Sequence, residues 1–223
     1  MTPAEILEDV ARQVRVCQEC QLHLSRKNAV PGEGPASAEI MLIGEGPGFH
    51  ENEQGRPFVG AAGKYLDELL QNAGLKRSEV FIANVVKCRP PGNRDPLPEE
   101  LAACSEFLDR QIQAIHPLAI ITLGRYSMAR FIPNVKISAI HGQARWIGEL
   151  LVVPMFHPAA ALHQPALKTS VEHDFSLLPA LIVQARKKRD GKAEAPAANP
   201  PAAPEQASVK KPPEAPATQL NLF

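Results

Sequence analysis

The chain has 223 residues, with 24 Lys or Arg and 24 Asp or Glu, so its formal net charge at pH 7 is zero. This length allows one sizeable core plus an appended segment. The balanced charge excludes a generally basic nucleic-acid-binding protein, but not a local basic face. We find no signal segment and no apolar run of about 20 residues, and we therefore expect a cytoplasmic protein without a membrane span.

The predicted elements begin with an amphipathic helix over residues 3–16, which ends at the pair Cys17 and Cys20. After an irregular connector, the apolar run at 40–43 predicts a short buried strand. The glycine-rich stretch at 44–63 follows at once, and its glycines allow a ligand to approach the backbone closely. It matches neither GxGxxG nor a P-loop, and it carries acidic side chains rather than lysine. A small polar ring is therefore a better ligand for this loop than a phosphate.

Strands and helices alternate through the rest of the domain. We predict strands at 80–86, 118–123 and 151–156 and helices at 61–73, 98–115, 125–131 and 171–188. Apolar strands separated by helices are typical of an α/β fold, here with a four-stranded, mainly parallel sheet covered on both faces. A rigid basic loop, 87–94, follows the second strand, and His157 follows the fourth. Ligands bind at such carboxyl ends of parallel strands.

The composition changes near residue 190. Ala and Pro account for 16 of the 34 residues at 190–223, and such a segment buries too little apolar surface to fold. We therefore predict a domain over 1–189, a disordered linker over 190–218 and a short peptide at 219–223. That peptide contains large apolar side chains again, in Leu220, Leu222 and Phe223.

Four cysteines can form one metal site. Cys17 and Cys20 form a CxxC pair, while Cys88 follows a strand and Cys104 lies on a helix. In a cytoplasmic chain this arrangement favours a structural metal site over disulfides. Its spacing fits both zinc and a 4Fe–4S cluster, and buried free cysteines are the alternative for the second pair.

Four groups of residues together resemble one family. They are GEGPG at 44–48 with GRPFVGAAG at 55–63, NVVKCRPP at 84–91, HPAAAL at 157–162, and the four cysteines. In this order they resemble a family 4 uracil-DNA glycosylase, the iron–sulfur type, over about residues 5–188. The resemblance implies a three-layer α/β/α sandwich, a 4Fe–4S cluster rather than zinc, and excision of uracil from DNA at the start of base excision repair.

The resemblance also implies which residues contact uracil. Phe58 would supply a stacking face, Asn84 would accept a hydrogen bond from N3–H and donate one to O4, and His157 would donate to O2. Without the resemblance, these three residues would read as a core aromatic, a polar strand residue and a structural histidine. The expected uracil contacts are Gly44, Glu45, Gly46, Phe58, Asn84 and His157.

One acidic residue should position the attacking water or stabilise the positive sugar. Glu51 is the first candidate and Glu45 the second. The alternative interpretation is that both are solvated acidic residues of a loop. Around this site, phosphate contacts are predicted at Lys87, Arg89 and Arg94. Leu162 would fill the gap that a flipped base leaves. A solvated basic loop and a core leucine are the alternatives.

The peptide at the end of the sequence resembles the motif by which bacterial DNA enzymes bind the replication sliding clamp. Its expected contacts are Gln219, Leu220, Leu222 and Phe223. We therefore expect a monomer that acts on uracil in single- and double-stranded DNA and binds the clamp. The competing hypothesis is a non-catalytic DNA-binding adaptor whose domain is held together by a metal.

Overall fold

One sheet of five strands forms the centre of the computed structural model, which describes residues 1–193. The strands are β1 (Ile40–Gly44), β2 (Phe81–Asn84), β3 (Ala119–Leu123), β4 (Arg145–Ile147) and β5 (Leu150–Met155). They lie in the order β2-β1-β3-β5-β4, and all neighbours are parallel except β4 and β5. The carboxyl ends of β1, β2, β3 and β5 therefore meet at one edge of the sheet.

Helices cover both faces of this sheet. Because alternate residues of a strand point to opposite faces, Leu42 packs in one core and Ile43 in the other. The described helices are α1 (Pro3–Val16), α2 (Phe49–Gln54), α3 (Gly60–Asn72), α4 (Pro98–Ile115), α5 (Arg125–Ala129), α6 (Ile137–Ile140), α7 (Pro158–His163), α8 (Lys168–Ser176) and α9 (Leu178–Ala193). The core that contains Leu42 includes residues of α3, α8 and α9, and the core that contains Ile43 includes residues of α4. The α/β/α layering expected from the resemblance is confirmed.

A third cluster of buried side chains joins the first helix to the cysteines. Thr2 and Glu5 form a capping box that begins α1, and Val10 and Val14 on the buried side of this helix pack with Cys88 and Cys104. Arg110 of α4 also pairs with Asp9 of α1 at 2.5 Å. These contacts hold the amino-terminal helix against α4.

The sheet and the last helix differ from the prediction. The sheet has five strands rather than four, because β4 has three exposed residues and therefore lacks the apolar run that marks a strand. The single helix predicted at 171–188 is two helices, which are separated at Leu177.

The division into a domain, a linker and a terminal peptide stays a prediction. Helix α9 continues to Ala193, past the boundary predicted at residue 189. The rest of the predicted linker and the peptide at 219–223 lie outside the described residues. Within the part of the chain that is described, no helix is both long enough and apolar enough to cross a membrane.

Candidate active site and cysteine site

The carboxyl edge of the sheet brings four of the predicted residues together. Gly44 and Asn84 end β1 and β2 and are directly paired across the two strands. His157 follows β5, and its ring stacks on the Phe58 ring with 5.3 Å between the ring centroids and 25° between the planes. A side chain on Gly44 would meet both the side-chain Oδ1 of Asn84 and the Phe58 ring. These residues therefore form one pocket.

The Asn84 side chain has a free acceptor in this pocket. Asn84 is only 2% exposed, and its Oδ1 atom is buried. Within the described residues, this atom has no hydrogen-bond partner. A buried polar atom without a partner is costly, at about 1–3 kcal/mol. A ligand with an N–H group in the pocket would satisfy this atom.

The hydrogen bonds of His157 fix where its proton lies. Its Nδ1 atom accepts a hydrogen bond from the N–H of Ala159 at 3.2 Å, at the start of α7. Burial lowers the pKa of His157 to about 4, so the ring is neutral near pH 7. A neutral ring whose Nδ1 accepts must carry its proton on Nε2. His157 is therefore a neutral Nε2–H donor.

Phe58 is held in a strained conformation. Its φ angle is +48°, which is rare for an aromatic residue. The guanidinium of Arg77 donates to the carbonyl oxygens of Pro57 and Phe58 at 2.7 and 3.2 Å and thereby supports this turn. Gly63 is also required, because a side chain there would collide with the Phe58 carbonyl. Arg77 was not predicted as a site residue, since no local motif connects it to Phe58 and Pro57, 19 and 20 positions earlier in the chain.

The two acidic candidates differ in what they contact. Glu51 is half-buried and accepts the N–H of Val59 at 3.1 Å, next to the pocket loop. Glu45 instead faces the start of α5, where the N–H of Tyr126 donates to it at 3.3 Å. Burial raises the pKa of Glu45, and the backbone N–H groups of Arg125 and Tyr126 counteract this effect. The contacts of Glu45 favour a structural role and leave Glu51 as the better candidate.

Helix α2, which carries Glu51, is held in place by contacts from the amino-terminal connector. The N–H of Lys27 donates to the buried Asn52 side chain at 2.9 Å. The amide of Asn28 donates to the carbonyl oxygens of Asn52 and Glu53, both at 3.0 Å. This bracing was also missed, because single asparagines in a connector carry no distinctive sequence signal.

Lys87 is not placed to contact DNA, and that prediction is wrong. Its side chain is buried, with 1% of the residue exposed, and Nζ donates to the Asn84 backbone carbonyl at 3.0 Å and to the Gln111 side chain at 2.7 Å. Burial lowers the pKa of Lys87 to about 7. A lysine in a basic loop is normally solvated, and nothing in the local sequence shows that Gln111 of α4 covers this one.

The other predicted DNA contacts lie on the surface. Arg89 is half-buried, donates to Asn93 at 2.8 Å and lies over the ring of Phe49, 5.4 Å from its centroid. Arg94 forms a two-bond pair with the buried Glu100, at 2.9 and 2.6 Å, which neutralises part of its charge. Leu162 on α7 is 47% exposed and so is not a core residue.

The four cysteines converge on one cavity. Cys17, Cys20, Cys88 and Cys104 all line it, and none forms a disulfide. Within residues 1–193, no group of three or more Cys, His, Asp or Glu side chains is arranged to hold a single metal ion. Four thiols around a shared cavity are a donor set that suits a thiolate-bound metal group.

Two N–H groups act on the sulfur atoms of this cavity. Arg26 donates to Cys88 Sγ at 3.3 Å, and the backbone N–H of Lys87 acts to lower the pKa of Cys104. Burial nevertheless raises the pKa of both thiols, that of Cys104 to about 11. Such N–H donors stabilise negative charge on sulfur, as in metal-bound thiolates.

Comparison with known proteins identifies a family and several relatives. The family model described as the uracil DNA glycosylase superfamily matches residues 31–176. A type-4 uracil-DNA glycosylase of Archaeoglobus fulgidus is 46% identical, over 77% of this chain and 90% of the relative. The protein of that name from Saccharolobus solfataricus is 49% identical over 76% and 83%, and the one from Thermotoga maritima 46% identical over 72% and 85%.

Proposed function

The chain belongs to the uracil-DNA glycosylase superfamily, and from this we propose that it hydrolyses the N-glycosidic bond of uracil in DNA and so initiates base excision repair. The observation that carries the proposal is the unpartnered Oδ1 of Asn84, buried beside the Phe58 ring. It offers an acceptor to the N3–H of uracil in a pocket that also has an aromatic face and a neutral imidazole donor.

Recognition begins with a base taken out of the duplex stack, which costs a few kcal/mol. Stacking on Phe58 and hydrogen bonds to Asn84 offset this cost. The Asn84 amide accepts from N3–H and donates to O4 of uracil, whereas cytosine has an acceptor at N3 and a donor at its exocyclic amine. Cytosine would therefore meet two mismatched contacts.

Cleavage of the glycosidic bond leaves negative charge on the base, over O2 and O4. The Nε2–H of His157 donates to O2, and backbone amides at Gly44, Glu45 and Gly46 face the same edge of the pyrimidine. A donor placed at developing charge contributes about 3 kcal/mol to catalysis. Because His157 is neutral, it stabilises this charge through a hydrogen bond and leaves the base anionic.

The sugar becomes positively charged as the bond breaks, and water then attacks C1′. We assign the positioning of this water to Glu51 of α2, which is only half-buried and whose carboxylate accepts the N–H of Val59 next to Phe58. Glu45 is the second candidate, with its carboxylate directed to α5. A Glu51→Gln substitution that lowers kcat far more than it changes KM would support this assignment. Unchanged kcat would exclude it.

We propose that Cys17, Cys20, Cys88 and Cys104 bind a 4Fe–4S cluster, which would tie the amino-terminal helix, the loop after β2 and α4 together. The cavity that these cysteines share and the N–H donors to Cys88 and Cys104 support this assignment. A brown protein with absorbance near 400 nm is expected. Zinc would give a colourless protein of normal activity and would contradict the proposal.

DNA is expected to be gripped by Arg89, and to a lesser degree by Arg94, through its phosphates. The exposed Leu162 would fill the space of the flipped base. We infer activity on single- and double-stranded DNA, as a cytoplasmic monomer. Leu162→Ala should therefore lower excision from duplexes more than from single strands.

We also propose that the peptide at 219–223, outside the described residues, binds the replication sliding clamp. Two leucines and a phenylalanine would fill an apolar groove, and tethering raises the local concentration of enzyme on clamp-loaded DNA. Deleting these five residues should abolish clamp pull-down and leave excision from short oligonucleotides intact. Retained pull-down would exclude this role.

A DNA-binding adaptor without catalytic activity is the alternative, and one assay separates it from an enzyme. Oligonucleotides with U·G, U·A or single-stranded uracil are incubated with the protein and then cleaved with alkali. We expect strand breaks at uracil with the wild type, and a loss of at least about 100-fold with Asn84→Ala or His157→Ala. DNA binding without breaks would favour the adaptor.

A further inference from the structure

Lys87 belongs to a closed network of buried polar groups beneath the pocket. Its Nζ donates to the Asn84 carbonyl at 3.0 Å and to Gln111 Oε1 at 2.7 Å. Gln111 is 1% exposed, and its Nε2 donates to the Pro31 carbonyl at 2.7 Å. The Lys87 carbonyl in turn accepts the N–H of Val30 at 2.8 Å. The network thus joins the end of β2, helix α4 and the connector at 30–31.

The identity of this side chain needs an explanation. Lysine is almost never fully buried, and burial of an ammonium group is costly, particularly when both acceptors are neutral oxygens. Methionine has nearly the same length and would fill the same space without this cost. What lysine adds is a set of directed N–H bonds, one of which fixes the backbone of Asn84.

The backbone of Asn84 controls where its amide lies in the pocket. Asn84 is the last residue of β2, and after it the chain turns away from the sheet toward Cys88. The next two residues still bond to the end of β1 and the residue after it. Val85 donates to the Gly44 carbonyl, and Val86 donates to the Glu45 carbonyl. The Lys87 side chain bonds back to the first residue of this turn, because its Nζ donates to the Asn84 carbonyl. A shift of about 1 Å in a substrate contact can reduce the rate about 100-fold.

We propose that Lys87 is a positioning residue: its side chain holds the Asn84 backbone so that the Asn84 amide is presented to uracil. Lys87 also reaches the cysteine cavity, because it precedes Cys88 in the chain and lines the cavity beside the four cysteines. One residue therefore connects the cysteine site to the recognition of the base. This inference rests on the proposed function, since it takes Asn84 as the uracil contact.

A double-mutant cycle tests the proposal. Lys87→Met, Asn84→Ala and the double variant are compared with the wild type for affinity to DNA that contains 2′-fluoro-2′-deoxyuridine, which resists cleavage, relative to the same DNA with 2′-fluoro-2′-deoxycytidine. Lys87→Met should lower this preference about tenfold in the wild type and less than about twofold in Asn84→Ala, because the two residues act through one contact. Equal losses in both backgrounds would overturn the proposal, and so would a wild-type preference in Lys87→Met.

A second pair of variants separates positioning from stability. Gln111→Leu removes one acceptor of Lys87. It should lower the preference in the wild type more than in Asn84→Ala, while the variant keeps its cysteine site and still unfolds cooperatively on heating. Lys76→Met is the control, because this exposed lysine pairs with Glu79, at 3.6 Å, and the substitution should leave the preference unchanged. If neither Lys87→Met nor Gln111→Leu folds, the network serves stability and the proposal is wrong.

The wild-type protein distinguishes this failure from failure of the proposed function. Wild type that neither prefers nor excises uracil contradicts the proposed function itself. Wild type that does both, together with an additive cycle, contradicts only the role of Lys87.

Discussion

At the scale of single residues, the pocket depends on groups whose burial sets their chemistry. Among the described residues, none gives the side-chain Oδ1 of Asn84 a hydrogen bond, while its backbone is held by the pairing with β1 and by Lys87. His157 is neutral because it is removed from water, and the Ala159 N–H fixes its tautomer. Neither property is visible in the sequence, which gives only the residue types and their places after strands.

The pKa of His157 gives a prediction for catalysis. Burial lowers this pKa from 6.5 to about 4, so the neutral donor persists down to that pH. We expect the part of kcat/KM that depends on His157, measured as the ratio of wild type to His157→Ala, to be constant above about pH 5 and to fall toward pH 4. A fall centred near pH 6.5 would contradict a buried neutral ring.

The same shift predicts how stability depends on pH. The unfolded chain takes up a proton at His157 near pH 6.5, whereas the folded protein does so only near pH 4. Protonation therefore favours the unfolded state as the pH falls through this range. The contribution is complete above pH 6.5, and up to about 3 kcal/mol is lost by pH 4. Denaturant unfolding measures the free energy of unfolding of the wild type and of His157→Ala. The wild-type value minus the variant value should fall as the pH is lowered from 6.5 to 4.

At the scale of elements, the turn before α3 is fixed by one close contact. Gly63 lets α3 pack against the carbonyl of Phe58, and a side chain there would push the stacking ring away. We expect Gly63→Ala to raise KM for uracil-containing DNA about tenfold or more, although alanine is the better helix former. Steady-state kinetics on one oligonucleotide measure this effect.

Gly74 provides the matched control, because it ends α3 with a positive φ of 70° and has open space around it. Gly74→Ala should cost about 1 kcal/mol of folding stability and leave KM unchanged. If Gly63→Ala also left KM unchanged, the position of Phe58 would not depend on this contact.

The elements show which parts of the fold could be predicted. Strands β1, β3 and β5 are buried on both faces, so their residues form continuous apolar runs that are easily recognised. Strand β4 lies at the edge with its residues exposed and was missed. The site was predicted where residues directly follow strands. Arg77 was not predicted, and the DNA contact predicted at Lys87 was wrong, because the partners of both residues lie far away in sequence.

At the scale of the whole molecule, the cysteine cavity lies where three parts of the chain meet. Cys17 and Cys20 follow α1, Cys88 follows β2, and Cys104 lies on α4. We expect Cys104→Ser to lose the absorbance near 400 nm and to lower the melting temperature by roughly 10 °C, which corresponds to a loss of several kcal/mol. Ser105→Ala, which changes the half-buried neighbour on the same helix, should preserve both. Normal stability without the cluster would make the site dispensable for folding.

The most direct test of the account is excision of uracil from a single-stranded oligonucleotide by wild type and Asn84→Ala, with release of the free base quantified. The wild type should release uracil rapidly and over multiple turnovers, and it should release no cytosine. The rate of release should be at least 100-fold lower in Asn84→Ala, which corresponds to about 3 kcal/mol. Equal rates for the two proteins would contradict the assignment of the pocket, and no release by the wild type would contradict the function.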